Sequence, residues 1–437
     1  MTTATVFIAL SIALISGLLL SRLAKKLNLP AVTAYLVAGI IIGPFCLGKL
    51  GIEGLGFVSE EWVHHFSILC DLALGFIAFA IGNEFRMSQL KKIGKQATII
   101  GILQAVVTTV LVDIVLIALH FIMPDVLPLP VAITLGAVAA ATAPAATLMV
   151  VKQYKAKGPV TSILLPVVAL DDAVGLVLFA VSFGIARSMD SGNVNLLSVV
   201  LEPIIEVILS LGLGALMGVL FNLTERYFHS RSKRMAVSVA FVLITVGISS
   251  LSFTVGGIHI AFSSLLACMM LGTVFCNICD FSEELMERVD RWSAPLLVLF
   301  FVISGAELNL SVFANWIIVV VGVVYIISRS AGKMLGAYTS AKMTKCEPNI
   351  VKYLGITLLP QAGVALGMAN KAFVGLEGGS LVLNITLFAV LVYELIGPFL
   401  TKKALEAAGE IKPEGKTSAR EEHATKMAEE RQKAETK

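Results

Sequence analysis

Apolar residues gather along the chain in runs of about 18 to 24, parted by short polar stretches, and each run can cross roughly 30 Å of hydrocarbon. The runs are apolar on every face, whereas a helix of a soluble protein keeps a polar side. They fall near 4–21, 31–48, 64–82, 97–119, 129–151, 160–186, 197–222, 235–254, 258–277, 293–308, 315–340, 351–372 and 381–401. The pattern predicts an all-α polytopic membrane protein of about 13 transmembrane helices. Met1 to Leu20 is followed by Arg22, Lys25 and Lys26 rather than by a small-residue cleavage site, so it is expected to be a retained span. Residues 1–402 are expected to form one transmembrane domain. Residues 403–437, rich in Lys, Glu and Ala, predict a charged, flexible tail.

Two runs carry a proline among small residues: Ala140-Ala141-Thr142-Ala143-Pro144-Ala145-Ala146 in the fifth and Leu359-Pro360-Gln361-Ala362-Gly363 in the twelfth. Proline removes one backbone hydrogen bond and obstructs another, and inside a membrane the freed groups survive only where protein or a wet cavity satisfies them. Both runs are therefore expected to be broken helices. They lie seven spans apart and so cross in opposite directions, which is the mark of an inverted repeat with its site between the breaks. Two independent packing kinks are the simpler alternative, less suited to a matched pair.

Charge adds orientation. Loops after odd-numbered spans hold Arg22, Lys25 and Lys26; Arg86, Lys91, Lys92 and Lys95; Lys152, Lys155 and Lys157; Arg226, Arg231, Lys233 and Arg234; Lys342 and Lys345. Those after even-numbered spans hold mainly Glu53, Glu60, Glu61, Asp125, Asp190 and Glu377. The positive-inside rule puts the N-terminus outside and the tail inside. The loop after the ninth span carries Asp280, Glu283, Glu284, Glu287 and Asp290, but acidic residues weigh little in the rule. Hydrophobic residues make up 57% of the chain, charged ones only 14%, and the net charge is +3, with no basic patch among aromatics, so nucleic acid is not an expected partner. The six cysteines lack zinc-site spacing and read as small apolar side chains.

Candidate chemistry centres on Asp171-Asp172, in the middle of the sixth run. Each intramembrane Asp costs about 2.5–3.5 kcal/mol on insertion scales, and packing asks for neither. Successive helical residues diverge by about 100°, so one carboxylate can face a cavity while the other meets a neighbouring helix. A carboxylate held away from water needs a proton or a cation to neutralise it, and competition for the same oxygens makes exchange obligatory. Lys333 in Ser328-Arg329-Ser330-Ala331-Gly332-Lys333 sits deeper than a snorkelling residue, with Arg329 equally deep, and is assigned to Asp171. Thr142 and the carbonyls of the fifth-run break are expected to join Asp172 in an ion site. A purely structural pairing of both Asp residues with buried bases is the plain alternative.

Thr142-Ala143-Pro144, Asp171-Asp172, Gly332-Lys333-x-x-Gly336 and Leu74-Gly75-x-x-x-Phe79-x-x-Gly82-x-Glu84 together resemble the sodium/proton exchanger domain of the second branch of the monovalent cation:proton antiporter superfamily. The resemblance covers most of residues 1–402. It implies a mobile core domain moving like an elevator against a dimerisation domain, hence a homodimer in the lipid bilayer. It also implies that Asp172 binds the ion, that Asp171 pairs with Lys333, and that the paired-Asp form is electrogenic. The expected function is Na+ or Li+ exchange for H+ in a bacterial or archaeal plasma membrane; the ions are substrates and no cofactor is expected. Members often have Arg-Gly-Glu after the second proline where this chain has Gln361-Ala362-Gly363, which puts that glutamate's role in doubt. With only a short charged stretch after residue 402, no nucleotide-binding domain is expected, which favours sodium or lithium over a ligand-gated potassium system.

Other polar residues carry weaker expectations. Asp71, Asp113, Glu202, Glu206, Glu307 and Glu394 fit cavity linings or span ends, and His64, His65 and His259 fit the outer surface. Competing readings are a K+/H+ antiporter, a sodium-coupled organic anion symporter, an intramembrane aspartyl protease and a channel. The symporter fits an adjacent Asp pair with a buried Lys poorly. The protease needs carboxylates facing each other from separate helices, and the channel a repeated filter loop; neither pattern is present.

Overall fold

The computed structural model describes residues 3–27, 29–52, 56–83, 85–191, 196–251, 253–255, 258–260, 262–308 and 314–411. Glu53, Glu84 and the tail beyond 411 lie outside the described residues, as do the side chains of Lys91, Lys92, Asp190, Glu202 and His259. The helices are α1 (Thr3–Lys26), α2 (Ala31–Ile42), α3 (Glu60–His65), α4 (Ser67–Asn83), α5 (Met87–Ile122), α6 (Leu129–Val138), α7 (Pro144–Gln153) and α8 (Pro159–Ser191). They continue with α9 (Leu196–Glu225), α10 (Arg231–Ser249), α11 (Ser264–Ile278), α12 (Ser282–Glu307), α13 (Trp316–Met343), α14 (Pro348–Thr357), α15 (Gly363–Gly375) and α16 (Gly379–Ala407). Among the described residues nine helices are long and apolar enough to cross a membrane, and α4, α6 and α11 are shorter apolar ones. This is a multi-pass membrane protein.

The run expected at 258–277 begins later, as α11, because Phe253–Val255 and Ile258–Ile260 pair as an antiparallel hairpin instead. Four of its six residues, Phe253, Val255, Ile258 and Ile260, are apolar and either β-branched or aromatic, so a hydropathy count cannot tell this hairpin from a helix end. The fifth and twelfth runs are each split, into α6 and α7 and into α14 and α15, with residues 139–143 and 358–362 unwound. Pro144 stands at the start of α7, where its missing N–H leaves no helical bond unmade.

The helices pack in two sets. One apolar core joins α1, α2, α4, α11 and α12 with Phe221 of α9 and Val242 of α10. Two others join α5, α6, α8 and α13 to α16. Ala143, Ala145 and Leu148 at α7 and Leu165 and Ala169 of α8 reach into the first core, so the break lies where the sets meet. Close packing explains one glycine of the third run: a Cβ on Gly82 would stand 2.0 Å from the Met269 carbonyl of α11.

The acidic stretch expected as the loop after the ninth span forms the start of α12 and finds its partners among basic loops. Arg86 pairs with Glu283 at 2.9 Å, Lys152 with Asp290 at 2.6 Å and Arg231 with Glu284 at 3.3 Å. These loops therefore share one end of the molecule, and the acidic excess that stood against the charge pattern is local ion pairing. Glu283 and Glu284 also sit in the first turn of α12, where the helix dipole favours them.

The boundary expected at 402/403 falls inside α16, which runs on to Ala407. The chain then folds back. The Glu410 carboxylate accepts from the Val160 N–H at 2.6 Å, the Thr161 N–H at 2.8 Å and the Thr161 hydroxyl at 2.5 Å. Lys157 N–H donates to the Glu410 carbonyl at 3.1 Å. A carboxylate from the far end of the chain thus caps α8, whose first N–H groups have no helical acceptor. We predict that Glu410→Ala lowers stability by about 1–3 kcal/mol. Lys403→Ala, which removes a half-exposed contact to Glu406, should cost below about 1 kcal/mol. Thermal unfolding of the purified variants measures both.

Candidate ion site at the crossing of two broken helices

α8 carries Asp171 and Asp172 into the interior, where their exposures are 0% and 1%. Their surroundings differ completely. Asp171 Oδ2 lies 2.7 Å from Lys333 Nζ and accepts the Thr142 hydroxyl, while Oδ1 accepts the Gln104 side-chain amide. Lys333 gives its other protons to the Ala140 carbonyl and, at 2.9 Å, to Thr142 Oγ1. The three Lys333 protons and both Asp171 oxygens are used, while Gln104 Oε1 has no partner among the described residues. Both carboxylate oxygens of Asp172, by contrast, have no hydrogen-bond partner among the described residues. The helical offset between successive residues produces the split.

The structure brings Lys333 and Asp171, assigned to each other in the sequence, into contact. Thr142, expected to share an ion site with Asp172, places its hydroxyl on Asp171. The unwound backbone sets that hydroxyl against the cluster, since Thr142 also points at the Leu358 carbonyl of the second break at 3.3 Å.

The two breaks touch directly. The Ala143 N–H donates to the Pro360 carbonyl at 2.8 Å, and the Gln361 amide donates to the Val138 carbonyl and to the Tyr325 hydroxyl, each at 3.0 Å. Gln361 thus serves as a neutral link between the breaks. Arg329, 0% exposed, donates to the carbonyls of Ala139 at 3.0 Å, Ala141 at 2.6 Å and Leu359 at 2.7 Å. Its guanidinium also lies over the Tyr393 ring at 4.5 Å. The carbonyl-bearing ends of α6 and α14 are the negative ends of their dipoles, so both meet a buried cation there.

Two glycines make this reach possible. A Cβ on Gly332 would stand 2.9 Å from Thr108 Cα and one on Gly336 2.8 Å from Gln104 Cα, so α13 presses onto α5 along the face that carries Lys333. The same contact delivers Gln104 to Asp171.

The opposite, N-terminal ends of the half-helices line a cavity of about 290 Å³, bounded by Ala143 to Ala146, Ala362 to Val364, Phe262 to Leu265, Leu74, Phe300, Phe301 and Glu394. Gly363 faces it with nothing within 4 Å of a Cβ position. A break with satisfied carbonyls, a buried cation pair and one open carboxylate can hold a small cation or a proton through oxygen ligands.

The sodium/hydrogen exchanger transmembrane family profile matches residues 10–407. The chain belongs to this family. It is a family of transporters, not of enzymes. Two structures of the sodium proton antiporter MjNhaP1 from Methanocaldococcus jannaschii resemble this exchanger in fold. The one at pH 8 has a TM-score of 0.66 at 21% identity, covering 92% of this chain and 97% of that one. The electron-microscopy one has 0.75 at 19% identity, covering 94% and 100%.

Within this exchanger the weaker candidates scatter. His65 is exposed, with Nδ1 at 2.7 Å from the Glu61 carbonyl. Asp113 turns a partnerless Oδ1 toward Gly136 on α6. Asp71 and Glu307 stand at the end remote from the basic loops, and Glu206 lies half-buried on α9. Gln104 and Arg329 are the site residues that sequence reasoning left without a role. The glycine spacing around Lys333 was the available signal for Gln104, since it marks the face of α13 that another helix must touch. We predict that Arg329→Met costs about 3–5 kcal/mol, because three buried carbonyls lose their donor. Arg329→Lys should recover less than half, one ammonium being unable to span all three. Thermal melts of the purified variants give both values.

Proposed function

We propose that this exchanger is a secondary active antiporter that trades Na+ or Li+ for H+ at Asp172, by elevator-type alternating access and electrogenically. One observation carries the reading: Asp172 is buried with both oxygens free, beside an Asp171 that Lys333 and Thr142 already satisfy. A cation at Asp171 would have to displace Lys333, whereas one at Asp172 breaks no hydrogen bond among the described residues. Bare charge is costly in hydrocarbon, so Asp172 travels only with a proton or a cation upon it. Thr142 joins through the backbone of its break rather than as a first contact of the ion.

In this proposal thirteen segments cross the bilayer as an inverted repeat, with the N-terminus outside, the C-terminus inside and the bilayer a bacterial or archaeal plasma membrane. The helices of the break form the moving core, and the set containing α1 and α2 forms the dimerisation domain. The exposed Phe7, Ile15, Leu18 and Leu19 of α1 suit a second copy or lipid. Potassium is the alternative ion, since carboxylate and carbonyl oxygens suit both.

In proteoliposomes with an imposed pH gradient, sodium or lithium should release the gradient in wild type, and Asp172→Asn should reduce the response to background. Retained sodium-dependent exchange in Asp172→Asn would overturn the assignment, and a response to potassium alone would reassign the ion. With two protons per cation, a 100 mV potential should bias each cycle by roughly 2.3 kcal/mol. Clamping the membrane potential at several values therefore has to change the rate.

A further inference from the structure

Glu394 of α16 is 4% exposed, lines the cavity that the two half-helix N-termini share, and has an Oε2 with no hydrogen-bond partner among the described residues. It stands one helical turn from Gly397, where a Cβ would come within 3.0 Å of the Pro360 ring. Glu394 is therefore close to the crossing yet separate from the satisfied cluster around Asp171.

The electrostatics of the cavity give this carboxylate a task. Arg329 and Lys333 take up the carbonyl ends of the breaks, on one side of the crossing. The N-termini of α7 and α15 face the cavity on the other, and each presents roughly half a positive charge. A cation entering such a cavity is repelled unless an anion stands there, and Glu394 is the acidic side chain that lines it. Glu307 acts electrostatically on Glu394, and Asp71 on Glu307 in turn, so acidic groups lead from the end of the molecule remote from the basic loops toward the cavity. Ser263 and Ser264 add hydroxyl oxygens to the same lining.

We propose that Glu394 is a second binding site for the monovalent cation, an access station between the vestibule and Asp172. The inference rests on the exchange reading above. The cation rests against Glu394 and the cavity hydroxyls, then passes to Asp172, while the carboxylate offsets the two helix ends. Removing its charge weakens capture of the cation more than it slows the step that moves the loaded site.

Carbodiimide labelling of purified wild-type protein, mapped by mass spectrometry with sodium chloride against choline chloride, tests this without a variant. Sodium should lower the adduct at both Asp172 and Glu394 severalfold. Protection of Asp172 with no sodium-protected adduct at Glu394 overturns the access station and leaves the exchange reading standing. Protection of neither overturns both. In proteoliposomes, Glu394→Gln should raise the KM for sodium by roughly tenfold with the maximal rate held within about twofold, and Glu394→Asp should restore most of the KM. An unchanged KM in Glu394→Gln overturns the inference, as it would show a counter-charge for the helix ends that no cation visits.

Discussion

Backbone groups freed inside a membrane have no water to turn to, and the structure is organised around satisfying those of two broken helices. The five residues of each break are held by the other break and by α13. Ala143 donates to Pro360, Gln361 to Val138, Arg329 to Ala139, Ala141 and Leu359, and Lys333 to Ala140. Each break supplies hydrogen-bond partners to the other, so the crossing is a single unit made by segments more than 200 residues apart. Buried arginine and lysine are tolerated because carbonyl dipoles surround them, and the tight approach of α13 to α5 at Gly332 and Gly336 keeps them there.

Much of this was legible along the chain. Hydropathy marks the runs, proline with small neighbours marks both breaks, and the intramembrane cost of charge singles out Asp171, Asp172 and Lys333. What escaped is what depends on tertiary approach. Thr142 and Asp172 share a neighbourhood in the sequence argument, but which carboxylate a hydroxyl meets depends on the rotation of α8, and it meets Asp171. Gln104 is an ordinary amide in an apolar run until α13 packs on α5. The end of α16 reads as a tail because Lys402, Lys403, Glu406 and Glu410 are charged, yet Lys402 and Glu410 are buried, 1% and 4% exposed. Composition counts charges and cannot see that Glu410 has helix N–H groups waiting for it.

The acidic start of α12 carries the same lesson in the other direction. As a list of residues it weakens the charge asymmetry, but in space its carboxylates are partners of Arg86, Lys152 and Arg231. Those pairs are half-exposed and contribute little stability individually. Their value is positional, since they gather loops from α4, α7, α10 and α12 at one end and leave the cavity side to acidic and hydroxyl groups.

Division of labour between adjacent aspartates follows from charge balance at the crossing. Asp171 cancels Lys333, and Arg329 is answered by carbonyls alone. An ionised Asp172 is then a buried charge whose oxygens have no hydrogen-bond partner among the described residues. Had one aspartate served both purposes, each arriving cation would have had to break a buried ion pair, at a cost of about 3–5 kcal/mol. Two successive residues on α8 avoid that conflict because the helix turns about 100° between them, so one holds the lysine while the other stays open. In the exchange reading the open carboxylate is the variable and the occupied one the constant. A cation or a proton then decides only whether Asp172 is neutral, and the scaffold that carries it need not be rebuilt in each cycle.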